Sequence, residues 1–420
     1  MHDEQLSIAI KDAGEAFEPP WADVRALSRR GRRRWWLTRV GAATTSLALA
    51  AGVAVATSRI DLDGGEKPPV RAAAPGTLRH WEALPAAPIA GRSGAAVAWT
   101  GSELLVVAGS ADRENFDDGA SFDPATDSWE KLPTGPSSEI HGAAVVWTGR
   151  ELIFWGGEDG DDQPHRGAAY DPATRRWRTL PPAPSWSLGS HSAVWTGTEM
   201  LVWGGVWPGG PGPRGVAAAY DPATNEWEAF PLGPLGRRHG HAAVWTGEEM
   251  VVWGGGSDDV APPRGPQAAA YDPETRTWRA LPDSPLEPAS SRVAFWTGKE
   301  VVLVGGLGAG PARDGAAYDP AADRWRSIAP VPLAAQRDDQ PIMLSDFSTR
   351  PAWTGRKAVF VTIDGVLSYD PATDRWTRER APQDVSRHGA AVAWTGDELL
   401  VWSGSHLGAK GYLETGWSGR

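Results

Sequence analysis

The chain is 420 residues long with 50 glycines, 36 prolines, 24 tryptophans and no cysteine, which excludes disulfides, thiolate metal sites and cysteine nucleophiles. Its formal net charge is −11; residues 1–39 hold eight basic and six acidic side chains, leaving 33 basic against 46 acidic over the rest, about −13. A body that acidic repels a polyanion, so nucleic acid is not an expected partner.

Residues 1–24 mix charges with Leu6, Ile8, Ile10 and Phe17 and break at Pro19-Pro20, reading as a flexible tail or a short docking helix. Arg29, Arg30, Arg32, Arg33, Arg34 and Arg39 then surround Trp35-Trp36, and residues 40–58 carry no charge. As a helix those residues cover roughly 28 Å, close to the ~30 Å hydrocarbon core of a bilayer. The expectation is one transmembrane helix at 40–58, with the arginine cluster holding a charged tail, 1–39, in the cytoplasm and the body outside it. Ala54-Val55-Ala56 reads alternatively as the cleavage site of an export signal, although the leader is long for one. Arg29-Arg30 is followed by Gly31 and Arg32 instead of the apolar residues of a twin-arginine signal. Residues 59–77, with Pro68-Pro69 and an alanine-rich end, read as a flexible linker.

From residue 78 onward one unit recurs, shown in full by residues 241–282. A short apolar run reaches a Trp-Thr-Gly turn, a second ends in a glycine pair, and a loop leads to a small-residue run closing in Tyr271-Asp272-Pro273. A fourth run carries Trp278 and ends at Leu281-Pro282. The turn tryptophans are Trp99, Trp147, Trp195, Trp245, Trp296, Trp353 and Trp394; the fourth-run tryptophans are Trp81, Trp129, Trp177, Trp227, Trp278, Trp325 and Trp376. Both sets number seven but are offset by one, so the chain opens on a lone fourth strand and closes on a repeat without one. An unclosed ring exposes two sheet edges, and the N-terminal strand is therefore expected to complete the C-terminal sheet.

Small residues before Trp-Thr-Gly, a strand ending in Gly-Gly, then Ala-Ala-Tyr-Asp-Pro-Ala-Thr and a tryptophan separated by two residues from Leu-Pro resemble the kelch repeat, recurring at roughly 48-residue spacing. The resemblance covers residues 78–416 and implies an all-β, seven-bladed kelch-type β-propeller, here assigned to 78–417. Blade 6 departs from the pattern, turning directly at Asp364-Gly365 after a long insertion, 329–350. Some kelch propellers are sugar oxidases or isomerases; the copper oxidase type needs a cysteine-crosslinked tyrosine, which this chain lacks.

Residues that recur at matched positions read as scaffold, since every blade solves the same packing problem. Asp171, Asp221, Asp272, Asp319 and Asp370, each before proline, are expected to cap their own turns. Ligand contacts are sought where blades differ. Four loops between second and third strands finish with Arg166, Arg214, Arg264 and Arg313, each holding its own loop or clamping a ligand. Six residues before the turn tryptophan stand His141, His239 and His388; four before it stand His191, His241 and Arg292. These six are expected near one channel mouth as packing residues, ligand contacts or an imidazole metal site. No catalytic constellation, cofactor or metal set is assigned.

The sequence thus points to a single-pass bacterial membrane protein, bacterial because alanine and arginine are frequent and lysine is not. Its extracytoplasmic propeller is expected to bind a protein, peptide or glycan through the loop-rich face. Two other readings stand beside it: a hydrolase or epimerase acting on sugars at the channel mouth, and a sensor coupled through residues 1–24 to a cytoplasmic regulator.

Overall fold

The computed structural model describes residues 78–111, 114–135, 143–157, 167–184, 189–206, 215–256, 265–308, 313–332, 351–406 and 411–420. All belong to one compact unit, Lys67–Arg420. The tail, the apolar segment 40–58 and the linker lie outside the described residues, and among those described no helix is long and apolar enough to cross a membrane.

Seven four-stranded antiparallel sheets form the blades. Blade 4 is representative: Ala242–Trp245, Met250–Trp253, Ala268–Asp272 and Thr277–Ala280 pair in sequence order. Blades 1, 2, 3, 5 and 6 occupy 96–131, 144–179, 189–229, 293–327 and 352–378 in the same order. Blade 7 takes Ala391–Trp394, Leu399–Trp402 and Gly416–Gly419 from the C-terminus and Trp81–Ala83 from the N-terminus, which pairs with Gly416–Gly419. The ring closes as its offset tryptophan counts require.

Each turn is built from its own residues. In the Trp-Thr-Gly turn of blade 4, Glu249 N–H donates to Thr246 Oγ1 (3.0 Å) and Thr246 N–H to the Glu249 carbonyl (3.0 Å). The threonine hydroxyl therefore does the work of a backbone acceptor in a tight turn. The Asp-Pro turns are capped by their aspartates: Asp272 Oδ1 accepts Glu274 N–H (2.8 Å) and Thr275 N–H (3.2 Å), and Asp171, Asp221, Asp319 and Asp370 accept likewise. Blade 6 makes its expected direct turn, with Thr362 paired to Gly365.

The core lies between blades. Seven clusters of buried apolar residues occupy the seven seams, each drawn from two neighbouring blades. Second and third strands are buried, and the fourth strands form the rim, where each tryptophan spans a seam. Trp129, Trp177, Trp227, Trp278 and Trp325 donate their indole N–H to the carbonyls of Pro85, Pro133, Pro181, Pro231 and Pro282, each closing the fourth strand of the preceding blade. Trp376 reaches the Ala329 carbonyl and Trp81 the Arg380 carbonyl, so one type of hydrogen bond runs round the whole ring. The residue before five of these acceptors, Leu132, Leu180, Phe230, Leu281 or Ile328, plugs the adjoining core.

Candidate functional site

First strands run toward the Trp-Thr-Gly turns, so their starts lie at the opposite face. There they meet the glycine pairs that end the second strands and the connections that leave the fourth. Backbone bridges carry the first hairpin past those glycines: Ser93 pairs with Ser110, His239 with Gly256 and His388 with Ser405. This is the face that bears the blade-specific loops.

Three of the expected contacts, all four residues before their tryptophan, point sideways into seams. His191 packs edge-on against Trp155 of the preceding blade (ring centroids 5.0 Å), with Nε2 3.0 Å from the Trp155 carbonyl. His241 does the same against Trp203 (4.6 Å), and its Nε2 lies 2.6 Å from Ser192 Oγ. Arg292 lies over Trp253 at 5.2 Å and donates to the carbonyls of Gly305 and Asp314. A flat edge-on ring or a cation is what a tryptophan face accepts best. His241 is only 8% exposed, and burial, reinforced by His191, Arg238 and His239, pulls its pKa down to about 3. It is therefore neutral and a weak base.

The structure brings His191, His241, His239 and Arg238 together at blades 3 and 4. His239 is half-buried with its ring beside Gly256, while His388 is exposed on blade 7. Arg313 is half-buried, and its carbonyl accepts Val331 N–H (3.0 Å). His141, Arg166, Arg214 and Arg264 lie outside the described residues.

Sequence reasoning passed over a second set of arginines. Arg92, Arg238 and Arg387 stand seven residues before their turn tryptophans, each buried. Arg238 donates to the carbonyls of Leu235 (3.2 Å), Gly254 (3.1 Å) and Pro266 (2.9 Å). Arg387 donates to those of Ser403 (3.0 Å), Thr415 (2.9 Å) and Asp384. Arg92 donates to the Ala108 carbonyl (3.0 Å), pairs with Asp118 (2.7 Å) and covers the Phe116 ring (4.2 Å). Each guanidinium fork thus staples both ends of its own loop to the connection entering the blade. Burial lowers the pKa of Arg238 and pushes those of Arg292 and Arg387 down to about 10, so all remain cations at neutral pH. The recurring Arg-x-Gly of Arg92, Arg238 and Arg387 was the signal.

These observations define a closed seven-bladed propeller whose loop-bearing face is braced by buried arginines. The chain carries kelch repeats: residues 140–338 match the KLHDC2/KLHL20/DRC7 Kelch-repeats domain, and residues 91–136 match the Kelch motif. Among solved structures, that of YjhT aligns with a TM-score of 0.50 at 15% identity, over 79% of this chain and 95% of that one, a likeness of fold. No curated protein matches the chain in sequence.

Proposed function

We infer that the chain is a membrane-anchored, extracytoplasmic interaction module that binds a protein, peptide or glycan through its loop-bearing face. Kelch propellers are, in general, protein-interaction modules, and one observation carries the reading here. Six of the position-matched polar side chains described on that face are engaged in holding the ring: His191, His241 and Arg292 in seams, Arg92, Arg238 and Arg387 under loops. What differs from blade to blade is then the loops, presented by a rigid frame. Exposed His388 and half-buried His239 are the first-strand residues best placed to touch a ligand. No catalytic residue or cofactor is assigned.

The uncharged run 40–58 after an arginine cluster supports a single span with residues 1–39 in the cytoplasm. Trp81–Ala83 runs as a fourth strand, from the turn face toward the loop face, so the chain enters the propeller on the turn face.

The test uses the full chain in its own membranes, with 158–166 and 207–214 replaced by short Gly-Ser segments. Crosslinked partners or glycans captured by the parent are expected to be lost while the unfolding transition is kept. Undiminished capture, or turnover of a sugar by the parent chain, overturns the reading. Protease access to the body from outside cells only, and to residues 1–39 from inverted vesicles only, is the expected topology.

A further inference from the structure

The seventh blade is assembled differently from the other six, and the difference is concentrated where the chain enters it. In blades 1–6 the fourth strand follows the third through a capped turn. In blade 7 no turn joins them, and Trp81–Ala83 is held by three residue pairs, Trp81 with Gly419, Glu82 with Ser418 and Ala83 with Trp417, extended by backbone bonds between His80 and Arg420 and from Leu84 N–H to the Gly416 carbonyl. The ring that packs at a tilt against the rim tryptophan elsewhere, Phe122 in blade 1 and a tyrosine in blades 2–6, as Tyr318 does against Trp325 (5.0 Å), is replaced by Gly419. A side chain there would meet the Trp81 ring at 2.7 Å. The incoming strand thus lacks both the covalent tie and the aromatic pair that hold other fourth strands.

A carboxylate takes their place. Where blades 1–5 carry Leu132, Leu180, Phe230, Leu281 and Ile328, blade 6 carries Glu379, only 6% exposed. Its Oε2 accepts Leu78 N–H (3.1 Å), and its Oε1 accepts the buried Ser368 hydroxyl. Leu78 itself is buried in the seam between blades 6 and 7. A carboxylate is tolerable in such a slot only while its oxygens are satisfied, and it regains full hydration when uncovered. A leucine there penalises opening by exposing apolar surface. Glu379 instead ties the seated strand through one specific hydrogen bond and, unlike a leucine, exposes no apolar surface when uncovered.

We propose that residues 78–83 are a releasable clasp, seated by Glu379, whose seating decides whether the ring is closed. Release uncovers the edge of Gly416–Gly419 without unfolding blades 1–6. The proposal is independent of ligand and membrane.

Amide hydrogen exchange on the full chain tests it. Residues 78–84 and 416–420 are expected to exchange together, at least tenfold faster than Met250–Trp253 and Ala268–Asp272 in blade 4. Glu379→Ala is expected to speed the first group tenfold or more and leave blade 4 unchanged. Because the chain has no cysteine, Glu82→Cys with Ser418→Cys gives a clean lock. These paired residues have Cα atoms about 5.5 Å apart in an antiparallel ladder, within disulfide range. Oxidation of that variant is expected to abolish the fast exchange and reduction to restore it. If residues 78–84 exchange only with the rest of the ring, or if the lock changes nothing, the clasp is not separable and the proposal fails. The lock decides the matter even if Glu379→Ala does not fold.

Discussion

At the scale of residues, the glycine pair shows how one position is set by its neighbour. Gly156 and Gly204 adopt φ of +75° and +80°, and a Cβ on either would fall inside contact distance of the His191 or His241 ring of the next blade. The equivalent residues of blades 1 and 7 are Ala108 and Ser403, both at φ 58°. There the next blade offers Ala143 and Ala95 in place of histidine. Glycine is thus needed where a large side chain leans across the seam, and the left-handed backbone alone is tolerated. Gly156→Ala is expected to destabilise by about 2–4 kcal/mol, combining overpacking with left-handed strain. Adding His191→Ala should recover part of that loss, read as a coupling of about 1 kcal/mol or more in a urea double-mutant cycle. Additive losses would show that His191 is not the obstacle.

His241 supplies the pH dependence at this scale. Its folded pKa, about 3, lies below the 6.5 of a free histidine, so between those values the unfolded chain binds the extra proton. Stability is therefore untouched by this group above about pH 7 and falls as pH drops from 6.5 toward 3. His241→Gln should flatten the difference between urea midpoints measured at pH 7 and pH 4.5, and an unchanged slope would contradict the assignment.

At the scale of elements, neighbouring blades are matched along the rim by charges that change sides. Arg175 of blade 2 reaches back to Glu130 of blade 1 (2.7 Å), and Arg276 of blade 4 reaches back to Glu228 of blade 3. Arg178 of blade 2 and Arg279 of blade 4 reach forward instead. Arg178 grips its own Glu151 through two bonds (3.1 and 2.6 Å) and donates to Tyr220 (2.7 Å) and Asn225 (3.2 Å) of blade 3. Arg279 holds Glu249 (2.9 and 2.7 Å), Tyr318 and Asp323 in the same way. The Glu228 side chain is 68% exposed and that of Glu249 21%, which decides their worth. A double-mutant cycle on Arg276 and Glu228 should give about 0.5 kcal/mol or less, vanishing in high salt. Arg279→Met should cost about 1–3 kcal/mol with little salt dependence, because it strands a half-buried carboxylate.

At the scale of the whole molecule, closure of the ring joins the two ends of the described chain. The Trp81 indole bonds blade 7 to Arg380 of blade 6, and Ser403 Oγ accepts Arg92 N–H of blade 1 (2.6 Å) and donates to its carbonyl (2.8 Å). Blade 7 therefore joins both neighbours through bonds that span the length of the chain. A chain beginning at residue 85 should leave the Gly416–Gly419 edge open, and sedimentation should show it associating. A chain beginning at residue 78 should remain monodisperse and keep one cooperative urea transition. Equal behaviour of the two would mean that the N-terminal strand is dispensable.

What the sequence determined by itself was everything repeated in register. Trp-Thr-Gly, Gly-Gly and Tyr-Asp-Pro are local devices whose chemistry is complete within a few residues, so seven blades, their strand order and their closure were legible from spacing and from the offset tryptophan counts. Tertiary structure alone decided the destination of side chains. His191, His241 and Arg292 stand at strand starts in the sequence, yet turn into seams because the partners that receive them, Trp155, Trp203 and Trp253, belong to the preceding blade. Glu379 stands where blades 1–5 carry Leu, Phe or Ile and is the seat of Leu78, 301 residues away. Burial and partnership between distant residues are set by the closure of the ring, and no window of local sequence contains them.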